Sequence, residues 1–253
     1  MAKPYYTPGS LSAAHYDMIT GLDVRLRGDE DIYAGLVPEG GSVLELGAGT
    51  GRLTAGLAGR GHPIVGVDIS PTMLAQAQAR LAGLPEEVRA RIQMVRGDMT
   101  SLDLKRTFDL VFLPFFTLAH VPAGAAWKNT FAVVARHMAE GALAACHLPR
   151  IEVMKLPPPA AKHLPVMDQP LPDGRRLLMF VKERTFREGV NRLDQVLEYA
   201  VAEPGGHIVQ RSPERLTFYM SDPTPLAATA GLVLDRDPIN LGDVGDVWVF
   251  RRA

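Results

Sequence analysis

The chain has 253 residues, enough to bury a sizeable core as one large domain or as one domain with an insertion. Its 27 Lys and Arg against 28 Asp and Glu leave a formal net charge of −1, which argues against a nucleic-acid partner, because such partners normally leave a basic footprint. A single cysteine, Cys146, excludes an intrachain disulfide and a cysteine-based metal cluster. No signal-peptide pattern and no run of eighteen uncharged apolar residues is present, so a cytoplasmic protein without a membrane partner is expected.

Residues 1–10, with Pro4, Pro8 and Gly9, read as irregular. Ser10 or Ser12 is placed to cap a helix through His15, Tyr16 and Asp17, and a second helix over Asp29 to Val37 is stopped by Pro38 and the Gly40-Gly41 pair. Residues 42–54 then read SVLELGAGTGRLT. Val43, Leu44 and Leu46 form the short apolar run of a strand buried on both faces. Gly47, Gly49 and Gly51 follow at alternate positions, and Leu53, Leu57 and Ala58 resume at helical spacing. Glycine at such a turn lets the chain reverse and lets the backbone approach a ligand that a Cβ would obstruct. The glycines fall as GxGxG, not the GxGxxG of a dinucleotide turn, and Glu45 precedes the first of them by two residues. A carboxylate there repels a pyrophosphate and suits a cation such as a sulfonium with its amino group.

Residues 63–67 (PIVGV) give a second buried strand ending at Asp68, 17 residues beyond Gly51 and close to the ~20-residue spacing at which a carboxylate meets a ribose. An ionised carboxylate can accept both ribose hydroxyls. Ser70-Pro71 reads as a helix start, with Met73 and Leu74 opening an amphipathic helix to about Leu81. Residues 92–97 (IQMVRG) form a third strand followed by Asp98-Met99, and Phe108 to Leu113 a fourth followed by Pro114, Phe115 and Phe116. In open α/β sheets ligands sit outside the carboxyl ends of the strands, which places Phe115, Phe116 and His120 at a ligand. Aromatic faces attract cations, and His120 is either a general base or a solvated, capping histidine. Trp127 to Met138 reads as a helix and Ala142 to His147 as the fifth strand. Cys146 lies in the buried run of that strand and His147 at its crevice end.

Residues 149–175 are proline-rich and read as a long connection. Residues 177–186, 192–202 and 208–219 then read as three antiparallel strands, with turns at Gly189 and Gly205-Gly206. The basic run Arg175, Arg176, Lys182, Arg184, Arg187 and Arg192 is read as the solvated face of these strands. A helix over Thr224 to Ala230, ended by Gly231, and strands over 232–235 and 247–251 complete the chain.

The stretch around Glu45 and the three glycines resembles motif I (ExGxGxG) of the class I S-adenosylmethionine-dependent methyltransferases, in which the acid and the glycine loop hold the methionine part of the cofactor. The resemblance implies cofactor contacts from Glu45, Gly47, Ala48, Gly49, Thr50 and Gly51. It further implies them from Asp68, Ile69 and Met73, from Asp98 and Met99 at the adenine, and from Leu113 and Phe115. Tyr16, in a Tyr-Asp pair of the kind that covers the cofactor, and His120 become the catalytic candidates. Tyr6, Phe116, His120 and His147 become the acceptor-binding candidates, with Tyr5 a further lid residue.

The implied fold is α/β: a Rossmann-like sheet with helices on both faces, an antiparallel last strand, and an inserted antiparallel sheet after the fifth strand. The corresponding domains are a helical lid over 1–40, a cofactor core over 41–150, the insertion over 151–220 and a completing hairpin over 221–253. The order His15-Tyr16-Asp17, glycine loop, Gly97-Asp98-Met99, RLDQVLEYAV strand and a late AGL is most similar to bacterial N,N-dimethyltransferases of amino sugars. The expectation is methyl transfer from S-adenosylmethionine to a small-molecule acceptor, nitrogen favoured over oxygen or carbon, without a metal. A homodimer through the inserted sheet is a further expectation. The rivals are an NAD(P)-dependent oxidoreductase and a cofactor-binding protein without turnover.

Overall fold

The computed structural model describes residues 2–22 and 27–253. Along the chain lie β1 (Lys3–Pro4), α1 (Leu11–Ala14), α2 (Tyr16–Gly21), α3 (Asp29–Ala34), β2 (Val43–Leu46), α4 (Arg52–Gly59) and β3 (Ile64–Asp68). Next come α5 (Pro71–Ala82), α6 (Glu86–Arg89), β4 (Ile92–Arg96), β5 (Phe108–Leu113), α7 (Ala125–His137), β6 (Met138–Pro149), α8 (Ile151–Met154) and β7 (Met167–Pro170). The chain closes with β8 (Arg176–Arg187), β9 (Arg192–Ala202), β10 (Ile208–Tyr219), α9 (Thr224–Ala228), β11 (Leu232–Leu234), β12 (Ile239–Leu241) and β13 (Gly245–Arg252). They fall into two compact units, residues 23–150 with 220–253 and residues 1–22 with 151–219.

The larger unit is built on a sheet ordered β11-β13-β6-β5-β2-β3-β4, with β12 paired to β13. β2 to β6 run parallel, whereas β13 is antiparallel to both β6 and β11. The strand order reverses between β2 and β5, which sets a ligand crevice at their carboxyl ends. All four residues of β2 are buried. Alternate residues serve two cores: Leu44 and Leu46 pack in a cluster with Trp127, Phe131 and Val134 of α7, and Val43 in another with Leu53 and Leu57 of α4. α5 begins as its sequence suggests. Ser70 caps it by accepting from the Met73 amide, Pro71 sits in the first turn, and Met73, Ala77 and Leu81 are buried four residues apart. The fifth strand starts at Met138, earlier than expected, because α7 ends at His137 and passes straight into it.

The smaller unit is a five-stranded sheet ordered β1-β10-β9-β8-β7. β8, β9 and β10 are the three expected antiparallel strands. Two segments read as irregular also pair: Lys3 and Pro4 run parallel to Glu214 and Arg215, and Met167–Pro170 pairs with Arg176 to Met179. The single helix expected through Tyr16 is two, broken at His15. The 40-residue lid is likewise divided, since residues 2–22 go with this sheet and α3 with the larger unit. Arg175, Arg176, Lys182, Arg187 and Arg192 are ion-paired to Asp173, Asp168, Glu198 and Asp194, and Arg184 is spent on the Gln195 side chain and the carbonyls of Val153, Met154 and Leu156.

Gly47 marks how tightly the larger unit is assembled at its crevice. Its φ is +82°, and an added Cβ would lie 2.2 Å from Thr117 Cγ2. Gly47→Ala should destabilise the fold by about 1–3 kcal/mol through strain and overlap together. Urea unfolding of Gly47→Ala with and without Thr117→Ser checks this, and relief by the second change should be partial because the backbone strain remains.

Candidate cofactor site

The chain leaves β2 at Leu46 and turns through Gly47, Gly49 and Gly51, all left-handed, at φ of 82°, 56° and 75°. Only glycine adopts such values without penalty. The space a side chain would need is partly taken by protein: a Cβ on Gly47 meets Thr117, and one on Gly51 lies 3.4 Å from the Ala77 Cβ. To the expected reasons for glycine here, chain reversal and ligand approach, the structure adds close packing against Thr117 and Ala77. The amides of the turn are also committed. Gly47 and Ala48 both donate to the Val67 carbonyl, at 2.8 and 2.9 Å, Gly49 donates to Asp68 Oδ2 at 2.8 Å, and Gly51 to the Ala48 carbonyl at 2.9 Å. A phosphate cradle needs such N–H groups turned outward to the anion. This turn spends them on itself and on β3. Ala48 and Thr50 are buried within it.

Two acids flank the turn. Glu45, 2 % exposed, lies between Gly66 of β3 and Phe112 of β5 and accepts the Thr54 hydroxyl at 2.5 Å. Desolvation pushes its carboxyl up to about 8, against the Thr54 hydrogen bond and the Arg52 charge, which lower it, while Asp29 and Asp68 raise it further. Arg52 is held in turn by Asp29, whose two carboxylate oxygens take both guanidinium Nη atoms. Asp68 closes the β3 edge, with Oδ2 on the Gly49 amide and Oδ1 on the Ser70 amide, both at 2.8 Å. Burial raises its pKa also, against these backbone hydrogen bonds. Each oxygen keeps a further lone pair. Beside it Ile69 is 61 % exposed, an apolar surface at the crevice edge. The donor set therefore fits a ligand with a cationic group for Glu45, hydroxyls for Asp68 and a flat apolar body for Ile69. Thr54, Arg52 and Asp29 escaped the sequence reading. Thr54 shares the buried face of α4, which is a signal, but nothing in the sequence links Asp29 to Arg52.

The remaining candidates divide. Asp98 accepts the Thr100 amide and hydroxyl on Oδ1, both at 2.8 Å, and Met99 packs against the core. Met73 is 3 % exposed and Leu113 1 %, so the side chains of these two belong to the interior, not to a ligand surface. Phe115 and Phe116 are both left-handed, at φ 45° and 60°, in a turn where the Thr117 amide and hydroxyl donate to the Pro114 carbonyl at 3.0 and 2.6 Å. Their rings stack at 5.7 Å, and Phe116 lies 4.5 Å from the His147 ring. A Cβ on Gly245 would fall 2.5 Å from His147 Nε2 and 2.6 Å from Phe116 Cε1. His147 was expected to face an acceptor. It is instead 1 % exposed, with Nε2 unpartnered among the described residues, and desolvation pushes its pKa down to about 4 despite the carboxylates of Asp29 and Asp246. His120 is solvent-exposed at the end of the 3-10 turn Thr117–His120, yet the protein massed around it lowers its pKa to about 4. Tyr6 and Tyr16 lie in the smaller unit, their rings edge to face at 5.2 Å.

Glu45 carries a direct consequence for stability. Its folded-state pKa lies above the unfolded value of 4.5, so the folded chain binds the extra proton and loses stability as pH rises from there to about 8. The cost of burying the charged form approaches roughly 4–5 kcal/mol at the upper end of that window. In cofactor-free protein, Glu45→Gln should be near neutral at pH 5 and increasingly stabilising towards pH 8. Urea unfolding across that range checks the trend, and a pH-independent difference would refute it.

Comparison with known proteins agrees with this geometry. Residues 43–141 match the family described as methyltransferase domain. An uncharacterized methyltransferase of Bacillus subtilis, YrrT, is 40% identical over 92 residues, a stretch covering 34% of this chain and 40% of that protein; the chain thus spans about two fifths of this relative's length. The CcbJ methyltransferase of Streptomyces caelestis superposes with a TM-score of 0.75 over 100% of both chains at 23% identity. CalS10 of Micromonospora echinaspora, an amino pentose methyltransferase solved with S-adenosylmethionine bound, superposes with a TM-score of 0.67 over 95% of this chain and 96% of its own at 20% identity. Residues 43–141 thus match a methyltransferase domain, and the chain shares the overall fold of the methyltransferases on which it superposes.

Proposed function

We propose that the chain is an enzyme that transfers a methyl group from S-adenosylmethionine to a small-molecule acceptor, with nitrogen the favoured acceptor atom. The observation that carries the reading is the pair of acids, Glu45 buried and Asp68 half-buried, set on a glycine turn in which the amides of Gly47, Ala48, Gly49 and Gly51 are already committed. A dinucleotide reading leaves this arrangement without a phosphate partner. When bound, the cofactor supplies an activated methyl group on a positively charged sulfur. The protein's share is alignment, exclusion of water and placement of charge. Glu45 receives the cationic methionine end and Asp68 the ribose hydroxyls. With a cation beside it Glu45 ionises, so binding releases a proton near neutral pH and strengthens as pH rises towards 8.

The preference for nitrogen follows from His147. A hydroxyl acceptor needs a base whose pKa lies near the working pH. His147 is buried, and desolvation depresses its pKa to about 4. A neutral amine attacks through its own lone pair and needs no such base. The likeness to an amino pentose methyltransferase points the same way. Oxygen or carbon methylation is the second reading, favoured only by the exposure of His120 at the crevice turn.

Two measurements test this. Asp68→Ala should weaken S-adenosylmethionine and S-adenosylhomocysteine alike, each by about 1–3 kcal/mol, because both carry the same ribose. Calorimetry with both ligands and with NAD(P) decides, and loss of affinity for only one of the pair removes Asp68 from the ribose. His120→Ala should keep turnover within about tenfold of wild type with an amine acceptor, the loss reflecting packing and orientation. A drop of roughly 10²–10⁴-fold at unchanged cofactor affinity would instead mark His120 as a base and favour a hydroxyl acceptor.

A further inference from the structure

Helices α3 and α4 of the larger unit are joined by acids of one and arginines of the other, at two places of different character. Past the end of α4, Arg60 donates to Glu30 at 2.8 Å and to Asp31 at 2.5 Å, both bonds exposed to solvent. Glu30 also packs on Gly56, where an added Cβ would fall 2.1 Å from its Oε2. These contacts dock the two helices. The second place is their N-termini, where Asp29 opens α3 and Arg52 opens α4. Asp29 is 4% exposed, takes both guanidinium Nη atoms, one of them at 3.0 Å, and accepts the Glu30 amide on Oδ1 at 2.8 Å. A cation in the first turn of a helix is opposed by the helix dipole, so the position of Arg52 brings α4 no stability of its own.

The Asp29–Arg52 pair lies in the electrostatic surroundings of Glu45. Beside the desolvation and the Thr54 hydroxyl already described, Arg52 favours the charged form of Glu45, and Asp29 and Asp68 of β3 oppose it. The Tyr33 hydroxyl of α3, its pKa raised chiefly by burial, feels Asp29, Glu45 and Arg52 together. On β6, His147 feels Asp29 as well. Arg52 stands two residues before Thr54, which holds Glu45 Oε2, and a guanidinium is a bidentate partner for any carboxylate it reaches. Asp29 is thus one of two buried acids to which a single arginine could be given.

We propose that Asp29 is a positioning residue of the cofactor site, which holds Arg52 off Glu45 and so leaves Glu45 to the cationic end of the cofactor. Without Asp29, Arg52 turns to Glu45, whose charge it already feels, and the arriving cation has to compete with it. The inference rests on the methyltransferase reading for its binding arm only.

The test uses the full chain and S-adenosylhomocysteine, which carries the same amino end and has no methyl group to give. In calorimetry at pH 8, Asp29→Asn should weaken its binding about tenfold. Adding Arg52→Gln should return it to within about threefold of wild type, because the competing cation is gone. Glu30→Gln, which breaks only an outer pairing, should stay within about twofold. The second arm is urea unfolding of ligand-free protein. In wild type Glu45 takes up its proton on folding, so the gain from Glu45→Gln grows from pH 5 to pH 8. That growth should vanish in the Asp29→Asn background, where Arg52 holds Glu45 ionised, and return when Arg52→Gln is added. A double variant as weak as Asp29→Asn, or a pH trend that survives in Asp29→Asn, would overturn the proposal, since a merely structural pair gives both. Where Asp29→Asn folds poorly, Arg52→Gln alone decides. It should bind within about threefold of wild type at pH 8, and a loss of about tenfold or more would make Arg52 a ligand contact and overturn the assignment. If wild type binds neither S-adenosylmethionine nor S-adenosylhomocysteine, the functional reading fails separately, and the unfolding comparison alone decides the role of Asp29.

Discussion

The site depends on one carbonyl and one carboxylate at the end of β3. Val67 receives two consecutive amides from the glycine turn, and Asp68 receives the next. These bonds close the turn onto the neighbouring strand and fix its three left-handed residues. They also set Glu45, two residues upstream, against Thr54 on the helix that follows. A buried backbone amide must find an acceptor. Here the acceptors belong to the strand that ends on Asp68, so the turn and Asp68 are specified together. Loss of the Asp68 carboxylate removes a structural acceptor of the turn.

The acids gain their character from the same closure. Glu45 stands in a strand between Gly66 of β3 and Phe112 of β5, with the Thr54 hydroxyl as its hydrogen-bond partner. Arg52, the nearest cation by effect, is held by Asp29. The carboxyl is therefore protonated near neutrality and ready to ionise against an arriving cation. A salt bridge built in permanently would have stabilised the fold and dulled that response. The arrangement trades resting stability for a charge that develops on binding.

Much of this was legible in the sequence, and the reasons differ by element. Phe108–Leu113 was read with the bounds it has, because an apolar run broken only by Asp109 and bordered by a proline admits little else. The glycine turn, Glu45 and Asp68 were legible because their order and spacing are themselves the chemistry. β1 and β7 were not: they span two and four residues and contain prolines, and β1 owes its pairing to a strand far along the chain. The fifth strand was read from Ala142, although it begins at Met138 and runs through Glu140 and Gly141. Asp29 with Arg52, and Glu214 with Ser12, are contacts across 23 and 202 residues that no local pattern encodes. Reading His147 as a surface group failed for a related cause. Its place at a strand's crevice end was right, but depth in the sheet depends on Phe116 and Gly245 folding over it.

The turn at Phe115 and Phe116 has a consequence of another kind. Two successive aromatic residues in the left-handed region cost about 1–3 kcal/mol each, and such a conformation persists only while its neighbours over-determine it. Those neighbours are Thr117 folded back on Pro114, Gly47 without a Cβ beneath it, and Gly245 without one against the ring. A glycine in place of Phe116 would relieve the backbone and abolish the ring together, so selection for thermal robustness alone would erode this turn. Residues 114–117 are thus a turn in which relieving backbone strain and keeping the ring packed against His147 cannot both be had from one substitution.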